Sequence, residues 1–131
     1  MINTHIYNRV AYHVYEGIAL DHAERERLVA DLGASKKVLI LRNHGLLTLG
    51  RTVAEAFILM LNLDRACRVQ MAIQASGMAV QPLSPEVCEH TARQYESGAI
   101  KAMAGQPDPN QREWRALLHR LEPGPARSFR D

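Results

Sequence analysis

Cysteine is scarce in this chain of 131 residues: Cys67 and Cys88 are the only two, and neither sits in a C-x-x-C or other metal-type spacing. Both therefore read as reduced, partly buried residues of helical segments rather than as thiolate ligands. Long apolar runs are also missing. No stretch approaches the ~18 residues of a membrane span, and Met1–Val10 lacks a basic region followed by an apolar one, so a membrane role is excluded and a cytoplasmic location is expected. Neither sign of charge prevails, with 16 Lys and Arg against 14 Asp and Glu for a net +2. The nearest basic cluster, Arg112, Arg115, Arg120, Arg127 and Arg130, is diluted by Glu113 and Glu122 and has little aromatic interleaving. It reads as a solvated face, and nucleic acid is excluded as a partner.

What is present suits one compact domain: 47% of the residues are apolar, enough for a sizeable core. Val10–Tyr15 is rich in β-branched and aromatic residues and predicts a strand ending before Gly17. Asp21 with Glu24 predicts a capped helix over Ala23–Leu32, closed by Gly33. Val38–Leu41, a continuous apolar run too short for a helix, predicts a central strand covered on both faces, and Leu46–Leu49 resumes extended character. Thr52 and Glu55 form a capping box for a long helix, about 53–76, whose wide apolar stripe predicts burial on several sides. Ser84-Pro85 opens a third helix through Cys88, Thr91, Ala92, Tyr95 and Ala99. Trp114, Leu117, Leu118 and Leu121 define a fourth, and Pro123-Gly-Pro125 begins a tail, giving a domain over 1–122 and a tail over 123–131.

One polar interruption stands between buried segments. Arg42-Asn43-His44-Gly45 holds a metal-competent imidazole next to the residue most tolerant of unusual backbone angles. On spacing alone, a lone histidine at a strand break is more often a hydrogen-bonded structural residue than a ligand. Asn43 suits either support of the His44 ring or capping of the turn, and Arg42 either an anion, a neighbouring subunit or a structural contact. His13 and Glu16, in Tyr12-His-Val-Tyr-Glu-Gly17, are further candidates for a ligand or proton-transfer group, with the expectation that both face solvent as strand-edge polar residues usually do. Tyr12 and Tyr15 read as packing residues. His5, His13, His22, His90 and His119 supply no H-x-H, H-x-x-H or H-x-x-x-H pair.

The stretch Leu39-Ile-Leu-Arg-Asn-His-Gly-Leu-Leu-Thr-Leu-Gly-Arg-Thr-Val-Ala-Glu-Ala-Phe57 resembles the class II aldolase/adducin family, in which an N-H-G segment precedes a long helix opening with T-v-x-E-A. The resemblance extends upstream through Tyr12–Gly17 and downstream through Leu63–Gln70. It implies a truncated α/β domain, a partial aldolase/adducin-like sandwich in which a mixed or antiparallel sheet is covered by helices. It also implies a divalent metal, zinc first and iron or manganese after it, with His44 as one of three histidine ligands; Asn43, Gly45, His13 and Glu16 are candidate supporting residues by their position in the sequence. Three imidazoles with an open position suit a Lewis acid that polarises a carbonyl. The family's H-x-H, phosphate-binding loops and acid/base glutamate fall ahead of the matched region. A shortened lyase of little activity is therefore expected, beside two alternatives: a non-catalytic module of adducin type, and a half-enzyme completed by another chain. A homo-oligomer, tetrameric by resemblance, is expected; no particular small-molecule substrate follows.

Overall fold

The computed structural model describes residues 6–17, 22–97 and 109–121. Its elements are β1 (Val10–His13), α1 (His22–Leu32), β2 (Val38–Leu41), β3 (Gly45–Thr48), α2 (Val53–Ser76), α3 (Pro85–Glu96) and α4 (Pro109–Leu121). The strands form a mixed sheet in the order β1-β2-β3. β1 runs parallel to β2, with Val10 opposite Val38 and His13 opposite Leu41, because α1 crosses over between them. β2 and β3 form an antiparallel hairpin in which Leu41 faces Gly45. The central place of Val38–Leu41 agrees with its apolar composition: Val38 and Leu39, neighbours that point to opposite faces, are both fully buried.

Register then decides what each face carries. Val10, Val38 and Leu46 share the face under α2, where Ile6, Val38 and Leu63 form a core joined by Leu59 and Cys67. Ala11, Leu39 and His13 share the opposite face, next to α1. Burying Ile58 and Leu63 completely contributes about 1.5–3 kcal/mol per side chain. α4 docks on α2 through an edge-to-face contact between Trp114 and Phe57, centroids 5.3 Å apart. Cys88 and Ala92 bury the inner face of α3, and Arg9, just before β1, reaches across to Glu89 and Glu96 on that helix.

The long helix begins and ends where its caps require. Thr52 Oγ1 accepts the Glu55 amide at 3.1 Å, and Gly77 closes the helix with a positive φ of 65° that a side chain would resist. The capping box is not reciprocal, however: the Glu55 carboxylate accepts the Arg51 amide, one residue outside the cap, and pairs with Lys37. Gly50 lets this entry fold tightly, since a Cβ there would lie 2.5 Å from the Ala56 amide nitrogen. Among the described residues, burial of α2 is confined to the strips facing the sheet and α4. Ala54, Ile58 and Leu63 are its fully buried residues, whereas Val53 and Met71 are 75% and 68% exposed, because the small sheet covers only one strip of so long a helix. β1 stops at His13, two residues earlier than predicted, and β3 starts one residue earlier, at Gly45. Asp21, Ala99 and the tail lie outside the described residues.

Candidate functional site

The polar interruption is the tip of the β2–β3 hairpin. The His44 amide donates to the Leu41 carbonyl at 3.0 Å, closing a turn in which Asn43 takes φ 60°, a left-handed conformation that asparagine tolerates better than most residues. The Arg42 amide donates to the His13 carbonyl at 2.9 Å, which carries the parallel pairing one step beyond the strands. The tip is thus pinned to the end of β1. Its side chains repeat that attachment: the exposed His44 ring stacks on Tyr15 with centroids 4.7 Å apart and planes 9° from parallel, and the Arg42 guanidinium carbon lies 5.0 Å from the Tyr12 ring centroid.

His13 departs from expectation. Rather than facing solvent it is only 3% exposed, because strand alternation places it with Ala11 on the face beside α1. The crossover brings Asp31, in the last turn of α1, within 2.7 Å of its Nδ1. An ionised carboxylate only accepts, so Nδ1 carries the donated proton. Nε2 is then buried with no hydrogen-bond partner among the described residues. Glu16 does face solvent, and its carboxylate receives Arg27 from α1 with Nε–O distances of 3.0 Å. The hairpin and its neighbours therefore bring together Tyr12, Tyr15, Arg42 and His44, while His13 pairs with Asp31 and Glu16 with Arg27. Asp31 was invisible in the sequence, being 18 residues from His13 with no motif to link them. The tyrosines were visible only as strand composition.

No group of three His, Cys, Asp or Glu side chains converges among the described residues. One imidazole does not by itself make a metal site, so the described residues fit a metal only in part. A cleft of about 210 Å³ opens elsewhere, at the starting ends of β1 and β2, lined in part by Arg9, Lys37, Arg51, Glu55, Tyr95 and Glu96. Its cations are paired with carboxylates, Arg9 with Glu96 and both Lys37 and Arg51 with Glu55. Burial would raise the Glu55 carboxyl, but the Lys37 hydrogen bond, the Arg51 amide and the charges of both residues outweigh it and leave the group lowered. Hydrogen bonding to Arg9, helped by Arg93, lowers Glu89 to about 2. None of the residues of the hairpin tip lines this cleft.

A mixed sheet with a crossover helix on one face and a long helix on the other is an α/β design, and the exposed His44 turn lies at the carboxyl ends of a parallel pair, where such sheets hold their ligands. Residues 1–71 match the Class II Aldolase and Adducin N-terminal domain. Over 117 residues the chain is 41% identical to a Pseudomonas aeruginosa protein provisionally named an aldolase class 2 protein, covering 89% of this chain and 44% of that one. It is 49% identical over 68 residues to alpha-adducin of Rattus norvegicus, covering 52% of this chain and 9% of the adducin. The crystal structure of an aldolase II superfamily protein from Pseudomonas syringae matches with a TM-score of 0.73 at 48% identity, covering 91% of this chain and 45% of the other. The chain belongs to the class II aldolase/adducin family. It spans less than half the length of these relatives. Among the described residues, no helix is long and apolar enough to cross a membrane.

Proposed function

We propose that this chain carries one ligand-bearing element of a metal-dependent lyase centre of the class II aldolase type, with His44 as the imidazole it contributes. The reading is supported by the presentation of that side chain. His44 stands exposed on a turn fixed by two backbone hydrogen bonds, and its ring is stacked on Tyr15 through a face, a contact that does not engage the in-plane nitrogens. A bound divalent ion would supply Lewis-acid polarisation of a substrate carbonyl; zinc is the first choice, with iron or manganese as substitutes. The further ligands must come from outside the described residues or from another chain. The turn's own contribution is to hold the ring still, so that little freedom is lost when a ligand binds.

Elemental analysis tests this directly. Protein exposed to zinc, manganese or iron(II) and then desalted should retain near-stoichiometric metal if this chain and its copies complete the site, and His44→Ala should lose it. Retention by neither protein, alone or mixed with a chain bearing an H-x-H segment, would refute the reading.

A second reading, a non-catalytic association module, is favoured by the exposed apolar residues Val53, Met71 and Met78 and by the identity with alpha-adducin. It expects a metal-free protein that self-associates equally well with and without His44, as sedimentation velocity would reveal.

A further inference from the structure

We infer that Arg42, held against Tyr12, is the oxyanion-binding residue beside His44 and receives a carboxylate or phosphate of the small molecule that the site handles; the inference rests on His44 marking that site. Six of the basic side chains among the described residues are already paired with carboxylates. Arg9 is bound to Glu89 and Glu96, Arg27 to Glu16, Lys37 and Arg51 to Glu55, Arg68 to Asp64 and Arg93 to Glu89. Arg42 has no carboxylate partner among the described residues. Its guanidinium lies over the face of Tyr12, 5.0 Å from the ring centroid. A ring face attracts the charge but offers no carboxylate or carbonyl oxygen to the five guanidinium N–H donors, which stay available for a ligand.

Placement supports the same conclusion. Both neighbours of the guanidinium are anchored: its own amide is bonded to the His13 carbonyl, and the turn behind it is closed by the His44 amide. The side chain is thus already ordered before any ligand arrives, and less entropy is lost on binding than for a free surface arginine. Arg42 and His44 lie two Cα steps apart, at most about 7.6 Å, on one turn at the carboxyl end of the parallel β1–β2 pair. In this reading a single small molecule spans the turn, with an oxyanion on the guanidinium and its reactive end towards the imidazole. A planar fork matches a carboxylate in two hydrogen bonds, which a lysine ammonium cannot reproduce.

The test is an NMR titration of the 131-residue chain in EDTA, following the Arg42 side-chain Nε–H and the turn amides. The probes are glycolate, inorganic phosphate and neutral glyceraldehyde. Saturable shifts are expected with at least one of the two anions, and which of them binds more tightly identifies the carboxylate or the phosphate as the source. Arg42→Gln should weaken that binding at least tenfold, and Arg42→Lys should restore only part of it. Arg65→Gln, on α2, should leave it within about twofold, and because the titration is run in EDTA the anion site stands even where metal retention fails. Absence of saturation in the wild type, equal binding by Arg42→Gln, equal loss in Arg65→Gln, equal binding of glyceraldehyde, or the same shifts at Arg25 and Arg65 would each overturn the inference.

Discussion

The Tyr15 ring and the His44 imidazole lie 4.7 Å apart and within 9° of parallel, although 29 positions separate them in the chain. The contact joins the exit of β1 to the hairpin tip and sets the plane of the imidazole. Tyr15→Ala should remove the ring-current shift from the His44 ring protons and destabilise the fold by about 0.5–1.5 kcal/mol, whereas Tyr15→Phe should preserve both. Equal His44 shifts in wild type and Tyr15→Ala would show that the stack does not persist in solution.

The His13–Asp31 pair leads to an inverted order of mutational cost. Replacing Asp31 by Ala leaves both ring nitrogens of a buried histidine without a partner and should cost about 1–3 kcal/mol in urea unfolding. Replacing His13 by Leu removes both buried polar atoms, while Asp31, 47% exposed, turns to solvent. That variant should lose less than Asp31→Ala. A larger loss in His13→Leu would mean that Nε2 has a partner in solution.

Acid should release α3 from β1 through Arg9. The carboxyl of Glu89 is lowered from 4.5 to about 2 by Arg9 and then Arg93, and that of Glu96 is lowered chiefly by Arg9. A lowered carboxylate contributes stability that is complete above its unfolded value and is lost as pH falls through its folded one. The contribution should therefore be full above about 4.5 and fade towards pH 2. Arg9→Met should melt below wild type at pH 7, with the two melting curves converging in that acid range. A gap independent of pH would assign the role of Arg9 to packing.

At the start of α2, Thr52→Ala should cost about 1 kcal/mol and Thr52→Ser much less, because only the alanine leaves the Glu55 amide without its cap. Gly50→Ala should lower the melting temperature further, since its Cβ would meet the Ala56 backbone at 2.5 Å and the neighbour is not a flexible side chain. An unchanged melting temperature in Gly50→Ala would show that the entry to the helix relaxes freely.

The helices were read well because their ends are chemically marked. Thr52 and Gly77 bound α2, and Ser84 with Pro85 opens α3, where Ser84 accepts the Val87 amide. The strands were less legible. Four residues give only two points per face, so Val10–Tyr15 announces a strand without revealing that His13 points inward. That choice depends on α1 packing beside β1, a long-range fact. The start of α4 at Pro109 was hidden by the turn-forming residues ahead of it, and the width of the apolar stripe on α2 overstated what one small sheet can cover. At the site, the Arg42–Gly45 break and its histidine stood out, whereas the stacking of Tyr15 and the approach of Asp31 are products of the topology.

Trp114 is the only tryptophan in the chain, and it sits on α4 against Phe57 of α2. Intrinsic fluorescence excited at the indole therefore reports whether the last helix is docked. A ligand that changes the spectroscopy of the turn without altering Trp114 emission has bound locally; one that changes both has loosened or tightened the packing of the two helices.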